Sequence, residues 1–242
     1  MLIDRRILRR FPPARVGGFS LIELLAVISV IAMLTAIIIP AVGNMRERAA
    51  TTQTVNTLKM AWNGMMLYAQ DNGNRLPRGF RTPEDELRSG ETPQSWQVQI
   101  GPYIFADRDL STYQWKKYLR NSEDTPLRDF AAPEATSNSL GLNVFICPRN
   151  NSWNGWNGYL AVVPNPGNTI LIGSRDMSIG SSDYVYSIGN PVGAWCQPGL
   201  YHQNESAGAF VFVDGHVEFI DEATLTYGSP AAAARPDLWK WD

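Results

Sequence analysis

The longest hydrophobic run of the chain lies near its N-terminus. Nineteen residues from Leu24 to Val42 carry no charge, and only Ser29 and Thr35 among them are polar. At about 1.5 Å per residue, a helix of this length spans roughly 28 Å, which is close to the hydrocarbon thickness of a bilayer. The run therefore predicts a membrane-spanning helix.

A second, amphipathic pattern follows Gly43. Its apolar residues recur three or four positions apart, as on one face of an α-helix: Val55, Leu58, Trp62, Met65 and Ala69. The polar run 71–74 and Pro77 end this pattern, with Gly73 as the predicted C-cap. The helix should therefore continue beyond the membrane and pack one face against a core.

Short apolar runs with turn residues between them fill the C-terminal half. Five of them predict β-strands because they are rich in β-branched or aromatic residues: 144–148, 158–163, 169–174, 184–189 and 209–220. In the last run, Asp214-Gly215 predicts a two-residue type I′ hairpin turn. Pairing Val213 with His216 would place Phe210, Phe212, Val217 and Phe219 on one face. The predicted fold class is α+β: a long N-terminal helix packed on a C-terminal antiparallel sheet.

Charge is unevenly distributed along the chain. Residues 1–18 contain five arginines against Asp4, a balance of +4, so a net charge of −2 leaves −6 for the remainder. Arginines on the N-terminal flank of a membrane helix predict a cytoplasmic N-terminus and an exported C-terminal part. The acidic remainder argues against nucleic acid as a partner.

Glu23 stands where the apolar run begins and needs an explanation. A carboxylate near the centre of a membrane helix costs about 2.5–3.5 kcal/mol on insertion scales, and less near the interface. One alternative is a secretory signal with residues 41–43 as its cleavage site. The apolar core of such a signal is shorter than the run observed here. A plain single-span anchor accounts for the run but leaves Glu23 and the preceding Gly-Gly-Phe sequence unexplained.

The sequence from Arg15 onward resembles the processing signal of type IV prepilins and type II secretion pseudopilins. The resemblance rests on the Arg-rich leader, Gly17-Gly18, Phe19 and, four residues later, Glu23. It implies that a prepilin peptidase cuts between Gly18 and Phe19 and methylates the new N-terminus at Phe19. It also implies that Glu23 neutralises the resulting amine during filament assembly, where a buried charge pair fixes register. Pro40 corresponds to a proline that bends the helix in this family.

The same resemblance implies an organisation for the whole chain. The segments would be a leader at 1–18, a transmembrane half-helix at 19–42, an amphipathic half-helix at 43–73 and an exported head at 74–242. The expected location is the inner membrane, crossed once, with a periplasmic head that belongs to a pseudopilus or type IV pilus-like filament. The expected partners are the prepilin peptidase and other pilin-like subunits, with no nucleic acid.

A second resemblance concerns the head. The stretches SWQVQIGPYI, VFICP and YHQNESAGAFVFVDGHVEF are similar to parts of a prepilin-like family abundant in planctomycete and verrucomicrobial bacteria. That family places a histidine ahead of an Asp-Gly pair, matched by His202, Asp214, Gly215 and His216. The intervening loop is two residues longer in this chain. The resemblance implies a fold and no assigned chemistry.

Few residues suggest catalysis or metal binding. His202, Asp214 and His216 offer a possible metal-binding or catalytic group, with turn formation and edge packing as the alternative. Asp107, Asp109, Asp176 and Asp183 offer oxygen ligands for calcium, but their spacing matches no EF-hand. We therefore expect no cofactor. No nucleophile–base or paired-acid pattern is evident, so a structural protein is expected and not an enzyme.

Two further features admit alternatives. Cys147 and Cys196 would form a disulfide in an oxidising compartment, worth about 3–4 kcal/mol for a loop of roughly fifty residues, or remain two buried thiols. Trp153, Trp156 and Tyr159 either stack on sugar or peptide as an exposed loop, or anchor that loop in the core. An exposed loop would suit the alternative function, a monomeric membrane-anchored binding module, for example for glycans.

Overall fold

The computed structural model describes residues 20–77, 95–105, 125–132, 139–143, 145–147, 158–176, 178, 184–185 and 197–239, with the side chains at 40, 41, 44, 184 and 185 excepted. The chain divides into two compact units, Met1–Met45 and Arg46–Asp242. The division falls inside helix α1, Leu21–Asp71.

In the first unit, the described residues form the apolar part of α1. All residues from Ser20 to Ile39 are exposed, and Leu21–Ile39 is long and apolar enough to cross a membrane. The helix predicted from the apolar run is confirmed. Gly18 and Phe19 lie outside the described residues, and the bend predicted at Pro40 stays a prediction.

The second unit is built around a sheet whose strands are β1 (Leu140–Asn143), β2 (Ile170–Ser174), β3 (Tyr184–Val185), β4 (Ala207–Phe212) and β5 (Val217–Asp221). Their spatial order is β3-β1-β2-β4-β5. Neighbours β1/β2, β2/β4 and β4/β5 pair antiparallel, and the two-residue β3 pairs parallel with β1. The α+β class with an antiparallel sheet is confirmed.

Short helices and 3-10 turns complete the described part of the second unit. They are α2 (Trp96–Ile104), α3 (Glu222–Leu225), α4 (Pro230–Ala233) and 3-10 turns at Leu160–Val162 and Pro236–Leu238. Helix α2 packs on α1 at Gly64, where an added Cβ would lie 2.7 Å from the Ile104 side chain. Glycine at this position therefore allows the close approach of α2.

Two strand predictions were wrong. Residues 145–147 of the strand expected at 144–148 are not in a strand. Strand β1 instead ends at Asn143, whose Oδ1 accepts a hydrogen bond from Phe145 N at 3.0 Å. This Asx turn takes the chain out of the sheet. The strand expected at 158–163 is a 3-10 turn, closed by the bond from Val163 N to Leu160 O.

The predicted hairpin exists, but its register was wrong by one residue. Val211 pairs with Val217, and Phe212 N donates to His216 O across a three-residue loop. Only Gly215 in this loop has a positive φ, +93°, whereas a type I′ turn needs two such residues. The four residues predicted to share one face of the hairpin therefore do not share it. A one-residue change of register moves the side chains of one strand to the opposite face.

Both faces of the hairpin are covered within the second unit. Phe219 contacts the His202 ring at 5.0 Å on the face toward α1. On the other face, Phe210 meets Trp239 edge-on at 6.0 Å, and Arg235 pairs with Glu218 at 2.8 Å. The sheet is therefore the middle layer between residues 46–71 of α1 and the C-terminal segment.

The amphipathic part of α1 supplies one wall of the core. Leu58, Met65 and Ala69 are buried, and Val55 and Trp62 are half-buried. The helix ends as predicted, with Gly73 in the left-handed region at φ +67°. Asn74 N donates to Ala69 O, five residues earlier in the chain, at 2.7 Å. This is the six-to-one hydrogen bond of a Schellman motif.

Candidate processing segment and a buried acid–histidine cluster

Glu23 takes part in a capping arrangement at the start of α1. Its Oε2 accepts a hydrogen bond from Ser20 N at 3.0 Å, and Ser20 Oγ accepts one from Ile22 N at 3.3 Å. This reciprocal pattern is a capping box, in which a serine and a glutamate three residues later satisfy free backbone donors. The carboxylate therefore lies back over the first turn of the helix.

The two polar residues of the apolar run are satisfied within the helix. Ser29 Oγ donates to Leu25 O at 2.7 Å, and Thr35 Oγ1 donates to Ile31 O. Such bonds remove the cost of placing a hydroxyl in hydrocarbon. Between Leu24 and Ile39 the described surface is consequently apolar.

In the second unit, Asp129 and His202 form a buried acid–histidine pair. Their Oδ2 and Nε2 atoms lie 3.1 Å apart, and both side chains are at most 1% exposed. The other ring nitrogen of His202, Nδ1, lies 3.4 Å from Thr51 Oγ1 on α1. The pair thus joins the loop at 125–132 to the segment that precedes β4 and to the helix.

Three further groups converge on the Asp129 carboxylate. Thr54 Oγ1 donates to Oδ1 at 3.0 Å, Ala131 N donates to Oδ1 at 2.9 Å, and Ser174 Oγ donates to Oδ2. A carboxylate accepts several hydrogen bonds, and this one receives them from α1, from its own loop and from β2. Asp129 is the centre of a cross-link between these elements.

This arrangement affects the ionisation of Asp129. Burial acts to raise the pKa of its carboxyl. The hydrogen bond and charge of His202, the Ser174 hydroxyl and the Ala131 N–H together outweigh burial and hold that pKa below its ordinary value. Asp129 is therefore ionised near neutral pH although it is buried.

The cluster has the residue types of a hydrolase triad without its geometry. In a triad the serine hydroxyl bonds to the histidine, which acts as its base. Here Ser174 Oγ donates to Asp129 and accepts a hydrogen bond from Ala209 N at 3.0 Å. With Ser174, Asp129 and His202 all buried, the arrangement serves to hold the fold together.

The histidines and Asp214 named by the sequence do not form one group. His202 contacts Asp129, whereas His216 Nδ1 bonds to Asp214 Oδ1 at 2.7 Å on the exposed hairpin loop. Asp214 also accepts from His216 N at 3.1 Å, as a turn residue does. No trio of His, Cys, Asp or Glu suited to a metal ion occurs among the described residues.

Other candidate residues are only partly described. Cys147 is buried and forms no disulfide with another described residue, and burial raises the pKa of its thiol. Its predicted partner Cys196 lies outside the described residues, so the disulfide stays a prediction. Trp153 and Trp156 lie outside as well, while the half-buried Tyr159 ring stacks under the Arg75 guanidinium at 4.4 Å. Asp176 binds its neighbour Ser178.

The Ser20–Glu23 capping box can be predicted from the sequence, whereas the Asp129 cluster cannot. The Ser20–Glu23 box has a readable signature, Ser-x-x-Glu before an apolar run, which the sequence reasoning missed. Asp129 has no such signal, because its partners Thr54, Ser174 and His202 come from distant parts of the chain.

Comparison with known families concerns the N-terminal segment alone. The family model for the prokaryotic N-terminal methylation motif matches residues 13–39. The match supports a prepilin-type protein. Proteins carrying this motif are structural subunits, processed by a prepilin peptidase and assembled with other pilin subunits. No curated protein and no solved structure was found to match the chain.

Proposed function

We propose that this prepilin-type chain is cleaved between Gly18 and Phe19, N-methylated at Phe19, and assembled into a pseudopilus or type IV pilus-like filament. The observation that carries the proposal is the coincidence of the methylation motif at 13–39 with a fully exposed apolar helix at Leu21–Ile39. A surface of that length and composition is covered only by lipid or by other apolar helices.

The two units suit different stages of this function. Apolar side chains such as Leu21 (86% exposed) and Met33 (71%) have no internal cover in the described structure. Before assembly, lipid would cover them, which anchors the chain in the inner membrane. After assembly, the same surface would contact the corresponding helices of other subunits.

Orientation and segment limits are part of the proposal. The arginine-rich leader 1–18 would stay in the cytoplasm, residues 19–42 would cross the inner membrane once, and 43–73 would continue as the amphipathic half of the helix. The head at 74–242 would then lie in the periplasm. The His202…Asp214-Gly215 pattern supports the finer placement within the planctomycete and verrucomicrobial prepilin-like proteins.

Mass spectrometry of the mature protein tests the processing step. When the full chain is produced together with a prepilin peptidase, the N-terminal peptide should begin with N-methyl-phenylalanine at Phe19. Gly18→Val should abolish the cut. An intact leader, or an N-terminus near Asn44, would contradict the proposal.

Cross-linking in the membrane tests assembly. Single cysteines introduced on the exposed surface of Leu21–Ile39 should give ladders of cross-linked subunits in cells that contain the assembly machinery. A single monomer band would instead favour the alternative, a membrane-anchored binding module.

A further inference from the structure

Ser20 does more than precede Glu23 in the first turn of α1. Its carbonyl oxygen accepts hydrogen bonds from Glu23 N at 3.0 Å and Leu24 N at 3.2 Å. Its hydroxyl accepts from Ile22 N, and its own N–H donates to the Glu23 carboxylate. Every hydrogen-bonding group of Ser20 therefore stabilises the turn that carries Glu23.

The position of this carboxylate limits its distance from the amine that cleavage would create. Consecutive backbone nitrogens are at most about 3.7 Å apart, because the N–Cα–C–N path is covalently fixed. Glu23 Oε2 lies 3.0 Å from Ser20 N, so only one such step separates the nitrogen beside the carboxylate from the amine that cleavage before Phe19 would create. Opposite charges a short distance apart attract strongly in a medium of low dielectric constant.

We propose that Ser20 is a positioning residue for Glu23. The hydroxyl and the backbone N–H of Ser20 hold the carboxylate over the first turn, facing the new N-terminus, before another subunit offers a contact. Without the hydroxyl, the first turn frays and the glutamate side chain regains its rotamer freedom. The inference rests on the proposed function, because the Phe19 amine exists only in the processed chain.

Two substitutions of equal shape isolate the hydroxyl. Ser20→Thr keeps an oxygen that can cap the helix, whereas Ser20→Val replaces that oxygen by a methyl group. Full-length chains are produced with the prepilin peptidase and the assembly machinery. The readouts are the N-methylated fraction of Phe19 and the yield of cross-linked ladders, both normalised to the cleaved chain.

We expect Ser20→Thr to remain close to the wild type and Ser20→Val to reduce the ladder yield about fivefold, as the loss of a typical helix cap would. A double-mutant cycle with Glu23→Gln then distinguishes positioning from general helix stability. If Ser20 acts through Glu23, the valine substitution should cause no further reduction in the Glu23→Gln background, in either readout.

The outcomes separate the two proposals. Equal yields for the threonine and valine variants would overturn the role of the hydroxyl. An equal reduction by valine in the wild-type and Glu23→Gln backgrounds would show that Ser20 is only a helix cap, which also overturns the inference. Absence of cleavage or ladders in the wild type would overturn the proposed function itself, before any variant is compared.

Discussion

The two parts of helix α1 differ in where their apolar side chains find cover. Between Leu21 and Ile39 all side chains are exposed, whereas Leu58, Ala61 and Met65 are fully buried inside the second unit. Both parts are helical, so helix formation does not distinguish them. No described residue buries the first part, whereas the second part is covered by the rest of its own unit.

The polar residues of the two parts differ in the same way. Among the described residues, Ser29 and Thr35 bond only to carbonyls of their own helix, while Thr54 bonds to Asp129, which is 75 residues away along the chain. Hydroxyls that must lie in hydrocarbon are satisfied locally. Hydroxyls inside a folded unit can hold distant segments together.

Replacing Asp129 should have the largest effect on the second unit. Asp129→Ala leaves the buried His202, Thr54 and Ser174 groups without their common partner. Breaking a buried pair from one side typically costs about 3–5 kcal/mol. Chemical denaturation of the full chain in detergent, followed by tryptophan fluorescence, to which the buried Trp96 and Trp239 contribute, measures this loss.

The exposed acid–histidine pair provides a matched control for Asp129. Asp214→Ala also removes a histidine's carboxylate partner, but that carboxylate is 43% exposed, and exposed pairs contribute about 0–1 kcal/mol. Equal destabilisation by the two variants would contradict the role assigned to the buried cluster.

The sequence predicts features that depend on neighbouring residues better than features that depend on residues far apart in the chain. The helix, its end at Gly73 and the buried positions Leu58, Met65 and Ala69 follow from local periodicity and capping. The hairpin was located by Asp214-Gly215, but its register depended on the backbone angle at Asp214, which no local pattern gives. Asp129 could not be found at all, because its significance arises only when four distant segments meet.

A pair of leucine and isoleucine substitutions compares the two parts of the helix directly. Leu58→Ala removes a fully buried side chain and should lower the free energy of unfolding by about 2–5 kcal/mol. Ile31→Ala removes a side chain that is 55% exposed, so the same denaturation curve should not move. A shift caused by Ile31→Ala would mean that the fold of the second unit depends on the apolar part.

Two threonine substitutions make the same comparison for polar groups. The hydroxyls of Thr54 and Thr35 both lie within hydrogen-bond distance of the carbonyl oxygen four residues earlier, so the two side chains have comparable positions on the helix. Thr54 also donates to Asp129 and accepts from Phe130 N at 3.0 Å. Thr54→Val should therefore cost about 1–3 kcal/mol, whereas Thr35→Val should leave the unfolding midpoint unchanged. Equal costs would show that the bonds to the 125–132 loop do not stabilise the fold.

Acid should weaken the second unit through Asp129, with an effect smaller than that of any substitution at the cluster near neutral pH. Because the folded-state pKa of Asp129 lies below its unfolded value of 3.8, the folded state binds fewer protons than the unfolded state in this range. Its contribution is complete above the unfolded pKa and is lost as the pH falls through the folded pKa. Unfolding free energies of the full chain between about pH 6 and pH 3 should thus fall more steeply than those of Asp129→Asn. Other carboxyls titrate in both proteins, so only the difference between the two curves reports Asp129. Parallel curves would mean that the carboxylate is not held ionised by His202 and Ser174, and that the cross-link from α1 to the sheet is weaker than its geometry indicates.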